Sequence, residues 1–148
     1  MPAKYEAISV ADYFLWKAQK DDQEFLSNLK LQKLVYYAQG MHLAMFNEPL
    51  FDDDIKAWQY GPVVSHLYHR YKNFGNSGIP ADENFNPNVI DNETQSFLDE
   101  IYDVFGQFSD IRLMELTHSD KCWEDVEIGE TISHESMKQC LKKYLANG

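Results

Sequence analysis

The most informative segment of the chain reads LKLQKLVYYAQG and covers residues 29–40. Its apolar side chains recur at helical spacing and widen beyond a single stripe, as the positions show: Leu29, Leu31, Leu34, Val35, Tyr37 and Ala38. A helix that is apolar over so much of its circumference is buried on most sides. The segment therefore predicts a long central helix that begins after Asn28 and runs through the middle of the core.

Helical patterns on either side of this segment predict a mainly α fold of about six helices, with residues 1–148 forming one compact domain. A first helix over roughly residues 10–20 is expected to begin at Ser9, which fits a capping box with Asp12. Further helices are expected to begin at Pro62, Asn92, Ser109 and Ser133. Period-two alternation before Gly61 predicts a short β-hairpin around residues 50–60. Residues 75–92 have no helical period and predict a long surface connection, either mobile or functional.

Composition limits the classes of partner. The 148 residues carry 13 basic and 24 acidic side chains, a net charge of −11, so the chain as a whole repels phosphate backbones and anionic lipid. Because of this charge, we do not expect direct nucleic-acid binding. We also expect no membrane partner, because no apolar run approaches the roughly 18 residues of a membrane span. The start of the chain has no hydrophobic signal core, and Cys122 and Cys140 are its two cysteines. These features predict a cytoplasmic protein with reduced thiols.

Short motifs of the common enzyme classes are missing from the sequence: it has no phosphate-binding glycine loop, GxSxG, HExxH or CxxC. One enzymatic alternative remains open. His66 and His69 are three residues apart on a predicted helix and could share a cation, with His118, Asp120 or Cys122 as a further ligand. A metal-dependent hydrolase using His66, His69 and His118 is the enzyme that this arrangement would make. The other interpretation places these histidines on a solvated helix face, and no cofactor is then expected.

Three large aromatic residues, Trp58, Tyr60 and Trp123, lie in turn-rich segments rather than in the middle of helical stripes. Aromatic side chains in such places have two ordinary roles. They fasten irregular backbone onto the core, or they act as anchors for a protein partner.

Several blocks in their order along the chain resemble a known family. SVADYFL at residues 9–15 is followed by LKLQKLVYYAQG at 29–40 and by AWQYGPVV at 57–64, and LTHS at 116–119 precedes Trp123. This order is similar to that of the Panacea domain, also called the GepA-like or SocA-like phage-associated domain. The likeness extends from about Ser9 to Tyr144, with one departure: Cys122 stands where the family often has proline.

The resemblance implies a mainly helical, non-enzymatic antitoxin of prophages and two-gene toxin–antitoxin loci, which neutralises a cognate protein toxin by direct protein–protein contact. Some members are described as proteolytic adaptors that pass the toxin to a cytoplasmic AAA+ protease. The family has no accepted catalytic set, so none is implied here. An acidic surface favours a basic toxin. We expect partner-binding residues among the following side chains: Trp58, Tyr60, His66, His69, His118 and Trp123.

Overall fold

The computed structural model describes residues 3–145. That range contains seven α-helices: α1 (Ala7–Asp22), α2 (Asn28–Phe46), α3 (Ser65–Tyr71), α4 (Asn92–Phe105), α5 (Asp110–His118), α6 (Lys121–Glu124) and α7 (His134–Leu141). Three short strands, β1 (Ile55–Trp58), β2 (Gly61–Val63) and β3 (Thr131–Ile132), form an antiparallel sheet in the order β2–β1–β3. The predicted mainly α fold is confirmed, with 60% of residues helical. Within residues 3–145 no helix combines the length and apolarity that crossing a bilayer needs.

Helix α2 is the central element, as its sequence predicts. Every residue from Lys30 to Met41 is buried, and the helix packs against α1, α4, α5, α7 and strand β2. Gly40 allows α7 to approach α2 closely, because a Cβ at this position would collide with the side chain of Leu141 on α7. The remaining helices therefore surround α2 and share one core with it.

The predicted helix starts at Ser109 and Ser133 are confirmed, and the predicted start of the first helix is wrong. Ser109 and Ser133 cap α5 and α7 with their side-chain oxygens. Helix α1 begins two residues before Ser9, which lies inside the first turn and caps nothing. The cap comes from a distant part of the chain, because the Asp53 carboxylate accepts a hydrogen bond of 2.9 Å from the backbone N–H of Ala7.

The hairpin is confirmed, but the predicted helix start at Pro62 is wrong. Pro62 lies in β2, paired with Ala57 of β1, and the following helix begins at Ser65. Two buried side chains of α2 hold this backbone extended. Lys33 Nζ donates to the carbonyl oxygen of Pro62 at 3.1 Å, and Gln32 Oε1 accepts from the N–H of Val64 at 2.9 Å.

Residues 75–92 form the long connection that the sequence predicts, and the core holds it at several points. The Ile79 N–H donates to the carbonyl of Leu26 at 2.8 Å, and the Ile79 side chain is buried. Further along, Phe85 packs on Trp16 of α1 with ring centroids 6.4 Å apart, and Ile90 is buried. Ile79, Phe85 and Ile90 are therefore attachment points of this segment.

Candidate protein-binding surface

The hairpin turn between β1 and β2 carries a group of exposed and half-buried rings. Tyr60 in the turn is 61% exposed. Trp58, the last residue of β1, is half-buried against two rings of α3, with centroids 5.1 Å from Tyr68 and 6.1 Å from His69. The turn thus places an exposed phenol beside an ordered edge-to-face aromatic cluster.

A second pair of rings reaches the same turn from α5 and α6. His118 stacks on Trp123 with ring centroids 4.3 Å apart. Trp123 Nε1–H donates to the carbonyl of Trp58 at 2.9 Å, and His118 Nε2 is 3.1 Å from the carbonyl of Gln59, which makes this nitrogen the donor. The hairpin and the α5–α6 segment are therefore joined through two aromatic side chains.

We call this surface the hairpin platform and define it by six residues: Trp58, Tyr60, Tyr68, His69, His118 and Trp123. Five of them are sequence-predicted site residues, and the structure brings those five together. Trp123 fastens one loop to another through its indole N–H, whereas Tyr60 remains largely free. Of the two roles that the sequence left open for these aromatic residues, the structure thus shows the fastening role for Trp123.

His66, the sixth predicted site residue, lies elsewhere. Its Nε2 is 3.0 Å from Oδ2 of Asp53, whose other oxygen caps α1. With His69 beside Trp58 and His118 on Trp123, the three histidines do not converge, and no cluster of three or more histidine, cysteine or acidic side chains fit for a metal occurs in the described part of the chain. The histidine-based hydrolase site expected as an alternative is therefore not formed.

The platform is supported from behind by Lys33, whose side chain is fully buried. Burial lowers the pKa of this lysine to about 7, because a charged ammonium is poorly solvated away from water. Gly61 lets the hairpin approach it. Its φ of +110° suits glycine, and a Cβ there would lie 2.7 Å from Oγ1 of Thr117 and 3.0 Å from Cε of Lys33. Lys33 of the LKLQKLVYYAQG block and Gly61 of the AWQYGPVV block thus together fix the hairpin against α2.

Asp120 is a second support, and sequence reasoning missed it. Its carboxylate is fully buried and accepts hydrogen bonds from three side chains: Tyr36 at 2.9 Å, Tyr37 at 3.2 Å and Lys143 at 2.6 Å. Burial raises the pKa of Asp120, and the lysine and the hydroxyls oppose that rise. Two features of the sequence could have pointed to this contact: the acid at position 120, two residues before Cys122, and the adjacent tyrosines of the central helix.

The cysteines beside the platform correct the expectation of reduced thiols. Cys122 of α6 and Cys140 of α7 form a disulfide, with Cα atoms 5.6 Å apart. Cys122 is buried, and the residue that follows it is Trp123. The cross-link therefore ties the segment carrying Trp123 to α7.

Acidic side chains flank the platform on the side of β3. The loop at 124–130 runs beside β1, because the Gly129 N–H donates to the carbonyl of Ala57 at 2.6 Å and the Ala57 N–H donates to that of Glu130 at 2.9 Å. Its exposed acids are Glu124, Asp125, Glu127 and Glu130. Ile128 in the same loop is 62% exposed. Exposed acidic side chains and an exposed isoleucine thus belong to a loop that is paired with β1, the strand that ends in Trp58.

The comparisons with known proteins identify the family of this chain. The profile of the family described as "Antitoxin SocA-like, Panacea domain" matches residues 31–124, a range that includes all six platform residues and both of their supports, Lys33 and Asp120. This chain belongs to the SocA-like Panacea antitoxin family. It is also 29% identical to a protein named "Antitoxin SocA" from Caulobacter vibrioides (strain NA1000 / CB15N) over 128 residues, which cover 80% of this chain and 68% of that protein. No solved structure matches the chain.

The two motif blocks shared with the Panacea family differ in their burial in this chain. Residues 30–40 of the LKLQKLVYYAQG block are buried, and polar members of the block hold backbone of other segments. Gln39, for example, accepts from the N–H of Leu50 at 2.8 Å and donates to the carbonyl of Phe51 at 2.7 Å. The block therefore acts as scaffold, whereas Gln59 and Tyr60 of the AWQYGPVV block are exposed.

Proposed function

We propose that this Panacea antitoxin neutralises a separately encoded protein toxin by binding it through the hairpin platform, without catalysing a reaction. The observation that carries the proposal is the convergence of rings from β1, α3, α5 and α6 on one turn. Tryptophan and tyrosine held in place by their own scaffold are the residue types that dominate protein–protein binding energy. The buried supports from α2 pre-organise the surface, which lowers the entropic cost of binding.

The charges beside the platform indicate what kind of toxin surface fits. The loop at 124–130 presents four exposed carboxylates next to β1. Such a field attracts a basic surface and speeds encounter, an effect that weakens as salt rises. We therefore propose a basic toxin that places an apolar or aromatic side chain near Tyr60 and Ile128.

The family resemblance also supports a cellular compartment for binding and a protease as a second partner. Binding takes place in the cytoplasm, and a AAA+ protease there degrades the toxin once it is bound. The test is a pulse-chase measurement of toxin half-life with and without the antitoxin, in cells that have or lack the protease. A half-life shortened by the antitoxin only when the protease is present supports degradation, whereas an unchanged half-life leaves neutralisation by binding alone.

Binding through the platform is tested by co-expression with the product of the neighbouring gene and by titration of the purified pair. Tyr60→Ala should weaken binding at least 10-fold and abolish growth rescue, because Tyr60 is exposed and its loss leaves the core intact. Phe46→Ala is the matched control. Phe46 is 50% exposed and lies on α2, about 20 Å along the axis from Lys33.

Equal loss of rescue in both variants, or full rescue by Tyr60→Ala, contradicts this assignment of the surface. A second platform variant, Trp58→Ala, extends the test to a half-buried member. Thermal melts of all three variants separate loss of contact from loss of folding.

A further inference from the structure

A cleft of about 540 Å³ lies near the C-terminal end of α2, away from the hairpin platform. It is formed where the end of α2 meets the residues before α1 and the start of α4, and its lining includes Lys4, His42, Phe46, Glu48 and Glu93. Its volume falls within the range of about 300–1,000 Å³ typical of ligand sites. The toxin-binding proposal makes no use of this cleft.

One wall of the cleft is an ordered aromatic cluster. The ring of Phe46 is half exposed, yet it packs on His42 at 4.8 Å and on Phe97 at 5.8 Å between centroids. His42 is itself fixed, with Nδ1 2.6 Å from the carbonyl of Glu48. A phenylalanine held in place while half of it faces solvent presents a ready contact surface.

The charges around Phe46 are mainly negative. Glu48, Asp91 and Glu93 line the cleft, and its cation Lys4 is paired with Asp91. Glu48 and Glu93 form no ion pair with any residue in the range 3–145. Helix α2 also ends here without a basic residue in its last turn, so its terminal carbonyls add partial negative charge.

We propose that this surface, the Phe46 cleft, binds a basic segment of a partner protein. An arginine or lysine of that segment lies over the face of Phe46 with its cation between Glu48 and Glu93, and a neighbouring aliphatic side chain covers the rest of the ring. A cation is attracted both to an aromatic face and to unpaired carboxylates. The cleft is a second docking site, separate from the toxin-binding platform and independent of it.

Fluorescence anisotropy with defined peptides tests this site on the full chain. The probe is a fluorescein-labelled peptide of three Arg-Leu repeats, and the control peptide has three Glu-Leu repeats. The Arg-Leu peptide should bind saturably and less tightly at 300 mM than at 50 mM NaCl, and the Glu-Leu peptide should not bind. Phe46→Ala and the double variant Glu48→Gln/Glu93→Gln should each weaken binding at least 10-fold.

Matched variants outside both surfaces separate this site from general attraction to an acidic protein. Phe25→Ala removes an aromatic ring that is 54% exposed, and Glu100→Gln/Asp103→Asn removes two exposed charges. Both should bind the Arg-Leu peptide like the unmodified chain, and melting temperatures should show that all variants are folded. Absence of saturable binding, or equal weakening in these control variants, overturns the proposal and leaves the toxin-binding test unaffected.

Discussion

Replacing Lys33 with methionine should stabilise the protein at neutral pH. The Lys33 amine is fully buried, its pKa is lowered to about 7 by burial, and its hydrogen-bond acceptor is the carbonyl of Pro62 at 3.1 Å. In the unfolded chain the same amine has its ordinary pKa of 10.5. Folding at pH 7 must therefore either remove the proton of the Lys33 ammonium or bury the charged ammonium, which water solvates well.

The size of this effect follows from the two pKa values. Between pH 7 and 10.5 the unfolded chain holds a proton that the folded chain has largely released, so the free energy of unfolding rises with pH. The rise is about 2 kcal/mol from pH 7 to pH 9, and the total cost at pH 7 is about 4 kcal/mol. Lys33→Met removes this cost but leaves the Pro62 carbonyl unpaired, which costs about 1–3 kcal/mol. A net gain of about 2 kcal/mol at pH 7 is expected.

Urea unfolding followed by circular dichroism at pH 7, 8 and 9 measures this slope. The unmodified chain should gain stability across the range, and Lys33→Met should gain little. Lys142→Met is the control, because Lys142 is exposed and its loss should leave the slope in place. If the unmodified chain is flat between pH 7 and 9 and Lys33→Met is no more stable, Lys33 is solvated and the reasoning fails.

Two further predictions concern the supports around Trp123. Asp120→Ala should lower the free energy of unfolding by about 2–4 kcal/mol, because it leaves the buried hydroxyls of Tyr36 and Tyr37 without their acceptor; a loss below 1 kcal/mol in urea melts argues against a buried network. Reduction of the disulfide between Cys122 and Cys140, 18 residues apart, should lower stability by about 3 kcal/mol. A Cys122→Ser/Cys140→Ser variant should not respond to reductant, and two free thiols in protein purified without reductant would contradict the cross-link.

Local sequence signals located most helices correctly and failed where a distant residue decides the structure. Ser109 and Ser133 act within their own turns, so their caps are visible in the sequence. Ser9 carries the same signal, yet α1 begins earlier because Asp53, 46 residues away, supplies the cap. Pro62 suits a helix start by local rules, but Lys33 of α2 binds its carbonyl and keeps it in a strand.

The candidate site could be predicted residue by residue but not as a surface. Trp58, Tyr60 and Trp123 stand out because large aromatic residues in turns usually fasten the loop to the core or bind a partner. Their meeting involves hydrogen bonds between distant parts of the chain, such as the one from Trp123 to the backbone of Trp58 across 65 positions. His66 looked equivalent to His69 on the helix, but α3 directs it to Asp53, a contact that no local pattern indicates.

The central claim is that this chain acts by occupying the toxin's surface, and its most direct test is the stoichiometry of neutralisation with purified components. Increasing amounts of the chain are added to the purified product of the neighbouring gene while the toxin's activity and the formed complex are both measured. We predict that activity falls in proportion to complex and reaches zero near one binding equivalent. Complete loss of toxin activity at a small fraction of an equivalent, with no complex formed, would contradict the claim.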